Sequence, residues 1–197
     1  MDLDVRPLAS HAEREAAHAL ADRILGLSQL PDNHHTLEFY AQRLAASPAL
    51  LVAAWGRGEV VGCVFASLEG DHVTIGLVAV DAAHRRRGLG SRLLGAVEEA
   101  AHELLGHSYL VLGAHRAAEP FYLANGYTAR LFVQVNESGR EAELLAMRAD
   151  VPILGSGEEP GRSFITLRTT GIDRDLQDRY DASFPDGHTQ YIFIKKF

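Results

Sequence analysis

The sequence predicts a mixed fold, α+β or α/β, in which an antiparallel meander of strands lies among helices and a C-terminal β-α-β extension follows. Three observations carry that expectation. Windows with apolar residues at helical spacing follow windows of strand-like alternation through residues 1–150. Glycine turns join the consecutive strand-like runs of 49–80, which makes them a meander. A glycine- and proline-rich stretch at 151–161 then precedes a last segment with its own strand, helix and strand pattern.

Each element has a local reason. A short strand is expected near 4–7. Ser10 caps a helix over 11–27, where Ala17, Leu20, Ile24 and Leu27 share a face, and Pro31-Asp32-Asn33 breaks it. Thr36 caps a second helix through Ala46, with Leu37, Tyr40 and Leu44 on one side. Strands over 49–55 and 59–68 meet at Gly56-Arg57-Gly58, and a third over 72–80 follows Glu69-Gly70-Asp71. The helix over 91–105 sets Leu94, Val97, Ala101 and Leu104 against Glu98, Glu99 and Glu103, and Gly106 stops it. A strand over 108–112, a short helix near 117–124 ended by Asn125-Gly126, and strands near 128–135 and 142–148 complete a domain spanning 1–150. Residues 151–161 read as a linker. Beyond it lie a strand over 163–168, a helix over 173–183 and a strand over 190–197. Ile172, Leu176, Tyr180 and Phe184 fall four apart, so this helix needs a partner surface. A unit of 162–197 is too small to fold alone; it either completes the sheet or exchanges between subunits, and a homodimer is expected.

Composition narrows the function classes. With 47% hydrophobic and 23% charged residues, the 197-residue chain is an ordinary globular sequence, which excludes disordered and collagen-like classes. Cys63 is the one cysteine, so there is no intramolecular disulfide, and its place in the apolar run 60–65 reads as a small core residue. The N-terminus lacks the basic-then-apolar profile of a secretory signal, and no apolar run has a membrane span's length; a cytoplasmic protein with no membrane partner is expected. The net charge of −7, from 19 Lys+Arg against 26 Asp+Glu, argues against nucleic acid and suits a cationic or amine-bearing ligand. Ten histidines form no H-E-x-x-H or Cys/His pattern, so no metal is expected.

The strand–Arg85-Arg86-Arg87-Gly88-Leu89-Gly90–helix segment is an anion-binding arrangement. Gly88 and Gly90 let backbone N–H groups turn toward a ligand, and the helix N-terminus adds partial positive charge. No lysine follows, as a Walker A loop requires, and Leu93 stands where a dinucleotide fingerprint has its third glycine. By itself, the arginine run fits a solvated charged surface equally well.

A second motif changes the balance. Arg85-x-x-Gly88-x-Gly90, preceded by Ile75-Gly76-Leu77-Val78-Ala79-Val80 and followed by Ala118-Glu119-Pro120-Phe121-Tyr122-Leu123-Ala124-Asn125-Gly126-Tyr127, resembles the GNAT superfamily of acetyl-CoA-dependent N-acetyltransferases. The first motif is similar to that family's Q/R-x-x-G-x-G/A pyrophosphate loop, the second to its A-x-x-F-Y-x-x-x-G-F/Y helix and turn. The resemblance spans 3–149 and is silent on 151–197.

It implies acetyl-CoA as acyl donor, with Arg85 and the backbone N–H groups of Arg86, Arg87, Gly88, Leu89, Gly90 and Ser91 at its pyrophosphate. It also implies that the strand edge at 77–80 pairs with the pantetheine arm, N–H groups among Val78, Ala79 and Val80 polarising the thioester carbonyl. Tyr122 is the implied general acid for the departing thiolate. His115 stands where the family often has Asn, at a pantetheine or helix-cap contact. Thr74 occupies the place of a frequent glutamate base; His72, on the same strand face, is the nearest titratable substitute, with Glu69 and water-mediated deprotonation as alternatives. The acceptor pocket is expected from the 30–45 region, including His34, His35, Phe39 and Tyr40, with the 127–135 strand opposite. The implied activity moves acetyl to a primary amine of a small-molecule acceptor; polyamine, aminoglycoside, amino acid and protein N-terminus stay open. The alternative is a non-catalytic acyl-CoA-binding or protein-interaction module on the same fold.

Overall fold

Ser10 opens the first helix with a reciprocal cap. Its hydroxyl accepts from the Glu13 N–H at 3.2 Å, and the Glu13 carboxylate accepts from the Ser10 N–H at 3.3 Å. The helix, α1 (His11–Leu25), stops short of the expected 27 because Gly26 adopts φ 66° and Leu27–Gln29 tighten into a 3₁₀ turn. A computed structural model of the chain describes residues 3–30, 36–44, 47–105 and 109–196. They fall into two compact units, Met1–Val111 with Lys196–Phe197, and Leu112–Lys195.

In the first unit the strands run in the order β1 (Asp4–Pro7), β2 (Leu51–Gly56), β3 (Glu59–Glu69), β4 (His72–Val80), β5 (Tyr109–Gly113). The first four pair antiparallel, and β4 joins β5 in parallel. The meander arises as expected from turns at Gly58 and Gly70, both at positive φ. α1 and α2 (Leu37–Leu44), the latter capped by the Thr36 hydroxyl at 3.1 Å, cover one face. Their core joins Ala17, Leu20, Ala21 and Tyr40 to Leu51, Ala53, Cys63, Phe65, Leu77 and Ala79. The other face takes α3 (Leu89–Leu105), whose Leu89, Leu93, Leu94, Val97 and Ala101 are all buried. Gly62 permits that approach: a Cβ there would lie 3.0 Å from the Leu93 side chain and 3.3 Å from the Ala79 carbonyl.

The second unit holds α4 (Glu119–Ala124), β6 (Thr128–Val135), α5 (Glu141–Ala146), β7 (Ile153–Glu159), β8 (Arg162–Leu167), α6 (Arg174–Ser183) and β9 (His188–Lys196). Its strands are ordered β9-β6-β8-β7, each pairing antiparallel. The C-terminal segment thus builds on both edges of β6, from Thr128↔Ile194 to Gln134↔His188 on one side and from Leu131↔Leu167 to Val135↔Ser163 on the other. The architecture is the expected α+β class.

Two local expectations are corrected. The strand expected over 142–148 is α5. Glu141, Glu143, Leu144 and Leu145 are strong helix formers, Arg140 bridges Glu137 and Glu143, and the fully buried Leu144 offers its carbonyl to the Tyr180 hydroxyl at 2.8 Å. The stretch 151–161, expected as a linker, contains β7, paired with β8 from Ile153↔Leu167 to Glu159↔Arg162. Gly157 serves packing: a Cβ there would sit 3.0 Å from the Phe164 ring. Among the described residues no helix is long and apolar enough to cross a membrane.

Candidate active site

The register of β4 builds the first part of the site. Phe65 pairs with Leu77 but Ala66 with Ile75, so Gly76 is an extra residue, a β-bulge. Before the bulge β4 pairs with β5 at Val73↔Leu110 and Thr74↔Val111; past Thr74 no further register of these two strands is found among the described residues. The Asp81 N–H donates to the Val61 carbonyl at 2.9 Å. Alternation along the strand therefore turns the Ala79 N–H toward β3 and those of Val78 and Val80 toward the outer edge. The Val80 carbonyl on that edge accepts from Arg85 Nε at 2.8 Å. Of the expected trio, Val78 and Val80 present N–H groups outward, whereas Ala79 does not.

The loop after β4 supplies the second part. Arg86 (φ 59°) and Gly88 (φ 75°) are both left-handed, a backbone form that gathers N–H groups into an anion-receiving concavity. A Cβ at Gly88 meets nothing within 4 Å, so glycine is there for its dihedral freedom and not for space. The first intrahelical bond of α3 is Arg92 N–H to the Gly88 carbonyl at 3.0 Å, which leaves the N–H groups of Leu89, Gly90 and Ser91 without a helical acceptor. No acidic side chain occupies the first turn of α3. Arg85, Arg86 and Arg87 are exposed, and for Arg86 and Arg87 no partner is found among the described residues. The chemistry of these groups suits an anionic, phosphate-bearing ligand, and Arg85 braces the end of β4.

On the α1/α2 face of the sheet, His72 pairs across with Glu69 and Thr74 with Ser67. His72 and Thr74 therefore share a face, as expected. The His72 ring stacks on Tyr109 at 5.2 Å and 12°, with Nδ1 3.2 Å from Asp71 Oδ1, and the Tyr109 hydroxyl donates to the same oxygen at 3.4 Å. That contact with His72 is the largest of the influences holding the Asp71 carboxyl below its ordinary range. Six residues separate His72 from Val78, on the order of 20 Å along a strand. No single side chain bridges that distance. Tyr40 is a core residue, 4% exposed, edge-on to Phe65 at 5.2 Å, and a Cβ at Gly76 would lie 3.0 Å from its ring. Half-buried Phe39 packs edge-on against Tyr40 at 5.6 Å. His34 and His35 lie outside the described residues.

In the second unit, Pro120 sits in the first turn of α4, and Gly126 at φ 83° turns the chain so that the Tyr127 N–H reaches the Tyr122 carbonyl at 3.1 Å. Tyr122 is 7% exposed, its ring framed by Phe121, Tyr127 and Phe193 at 5.1, 5.8 and 5.6 Å. Burial pushes its phenol up to about 12. No acceptor or donor for its hydroxyl is found among the described residues, which leaves a neutral O–H for a ligand. His115 makes the helix-cap contact: its Nδ1 accepts from the Ala117 N–H at 3.3 Å. It also lines an open cavity of about 480 Å³ with Glu119, Gln177, Asp181, His188 and Tyr191. Cys63 is fully buried, its Sγ donating to the Ala17 carbonyl at 3.4 Å, and burial raises its thiol to about 12. No group of three or more metal-ligating side chains occurs among the described residues. The sequence reading missed the bulge at Gly76, although a lone glycine inside a strand pattern is its usual mark, and it missed the brace from Arg85.

Comparison with known proteins adds the family. Residues 46–129 match the family model for an acetyltransferase (GNAT) domain. The chain is 30% identical over 123 residues to the N-terminal acetyltransferase A complex catalytic subunit NAA10 of Arabidopsis thaliana, an overlap of 60% of this chain and 62% of that protein, so it spans about three fifths of that relative's length. A solved Pyrococcus horikoshii protein assigned as an acetyltransferase superposes with a TM-score of 0.56 at 13% identity, over 99% of this chain and 89% of that one. The PaiA N-acetyltransferase of Thermoplasma acidophilum, solved with coenzyme A, gives 0.54 at 13% identity over 86% and 99%. These two likenesses are likenesses of fold.

Proposed function

Residues 46–129 are a GNAT acetyltransferase domain, and from that premise we propose that the chain is an N-acetyltransferase that moves the acetyl group of acetyl-CoA directly to a primary amine of a small molecule. The observation that carries the proposal is the outward edge of β4 past the Gly76 bulge, running straight into the left-handed loop and the N-terminus of α3.

In this reading the N–H groups from Arg86 to Ser91 hold the donor's pyrophosphate, with Arg86 and Arg87 adding positive potential. Val78 and Val80 offer N–H groups to the donor's arm and carbonyl, and Ala79 takes no part because its N–H faces β3. His115, with Nδ1 engaged in its cap, has only Nε2 to give. The amine attacks as the free base: its nitrogen bonds to the acetyl carbon as the carbon–sulfur bond breaks. Tyr122 gives its phenolic proton to the departing sulfur, and a phenol held near 12 keeps that proton at neutral pH until the sulfur needs it. The proton lost by the amine passes to water, with His72, oriented by Asp71, as its terminal acceptor. Half-buried Phe39 borders the acceptor, and buried Tyr40 backs that wall. A homodimer acting in the cytoplasm completes the proposal.

A second acceptor reading has an observation of its own: the Arabidopsis thaliana relative is the catalytic subunit of an N-terminal acetyltransferase, which favours a peptide α-amine. Thiol release from acetyl-CoA, followed with a panel of small amines and short peptides, tests both. Cys63 does not disturb the readout, since its buried thiol is held near 12. Amine-dependent release, faster with small amines, is the expected result; release only with peptides moves the acceptor to the second reading. Tight acetyl-CoA binding with no release by any amine turns the protein into a binding module.

A further inference from the structure

Tyr122 sits on a helix of six residues, too short to hold itself in place. Its position is set from outside, and the C-terminal segment supplies the means. Glu119, the first residue of α4, is buried at 4% exposure, and a carboxylate so placed needs a partner. Arg174 Nη2 donates to Glu119 Oε2, while Nη1 donates to Gln177 Oε1 at 2.5 Å. The same guanidinium lies over the Tyr191 ring at 5.6 Å. Tyr191 is fully buried, its hydroxyl accepting from the Asp173 N–H at 2.7 Å, and Asp173 caps α6 by accepting from the Leu176 N–H at 2.9 Å. Two residues along the same face of β9, Phe193 packs on Tyr122. The start of α4 and the ring of Tyr122 are thus gripped from one direction, by α6 and β9.

We infer that Arg174 is a positioning residue for acetyl transfer, fixing α4 through Glu119 and Tyr191 so that the Tyr122 hydroxyl stays where the departing sulfur needs it. The inference rests on the reading of Tyr122 as the acid. It makes the C-terminal segment part of the chemistry, where the family motifs end before it.

The test is a double-mutant cycle with an exchange measurement beside it. Arg174→Met is expected to lower kcat about tenfold or more with KM for acetyl-CoA changed less than about twofold, since small misplacements act on the reacting geometry and not on donor binding. Arg174→Lys is expected to recover part of the loss. In a Tyr122→Phe background Arg174→Met is expected to cost nothing further in kcat. Backbone amides of 119–127 should exchange faster in Arg174→Met while those of 85–91 are unchanged, a readout that needs no acceptor. If Arg174→Met fails to fold, Glu119→Gln and Arg174→Lys carry the same cycle. An unchanged exchange rate at 119–127 overturns the inference, as does an equal loss of kcat with and without the Tyr122 hydroxyl. Wild-type kcat in Tyr122→Phe alone sinks the acid assignment, and the exchange data then judge the grip on α4 separately.

Discussion

The proposed donor-binding groups and the proposed acid are made in opposite ways. Around β4 and α3 the proposed working groups are backbone N–H groups, presented by a bulge, two left-handed residues and a helix start. Around α4 the proposed working group is one phenol, framed locally by Phe121 and Tyr127 and, from far along the chain, by Phe193, while Arg174, lying over Tyr191, holds Glu119 at the start of the helix. A site made of backbone tolerates many side chains but demands particular dihedrals. A site made of one side chain tolerates no substitution at that residue and depends on whatever packs around it.

The comparison breaks hardest at the C-terminus. Removing residues 160–197 takes away β8, α6 and β9 and with them the fully buried Tyr180, Tyr191 and Phe193, so the truncated chain is expected to be insoluble or unfolded by circular dichroism. A folded, soluble truncation would show that β6 needs neither neighbour. Tyr122→Phe is expected to lower kcat by about a hundredfold while leaving the acetyl-CoA dissociation constant within about twofold, the signature of lost proton donation. Equal losses in both quantities would mean that the ring serves packing. Gly76→Ala is a smaller probe. The new methyl meets the Tyr40 ring at 3.0 Å, so the acceptor KM is expected to shift by about threefold with donor affinity unchanged; a change in donor affinity alone would place Gly76's role on the wrong side.

The gentlest probe is pH. With the Tyr122 phenol raised by burial from 10 to about 12, kcat should show no alkaline loss from this group below pH 10. The folded state holds this proton more tightly than the unfolded chain, so its contribution to stability is whole below pH 10 and is lost as pH rises toward 12. An alkaline limb below pH 10 that vanishes in Tyr122→Phe would contradict the buried setting.

Legibility in the sequence follows the same division. The loop at Arg85–Gly90 and the turns at Gly58 and Gly70 were readable because a positive φ is a local demand that glycine answers locally. β4, β6 and both helix caps at Ser10 and Thr36 were readable for the same reason, being written within a few residues. β7 was masked because Gly155 and Gly157 look like linker residues, although Gly157 makes room for Phe164. α5 reads as a strand in the sequence because six residues are too few for helical period to outweigh alternation. The Arg174–Glu119 pair joins positions 55 residues apart, and no periodicity or motif marks such a contact.

The central claim is that a donor-binding surface made of backbone groups lies between the end of β4 and the start of α3. Calorimetric titration of acetyl-CoA into the wild type and into an Arg85→Ala, Gly88→Ala double variant tests it most directly, since that change removes the brace on Val80 and the left-handed glycine together. The account predicts one site per chain in the wild type and loss of binding by about tenfold or more in a variant that remains folded. Wild-type protein that is folded and binds no acetyl-CoA, or a variant that binds as tightly as the wild type, would contradict it.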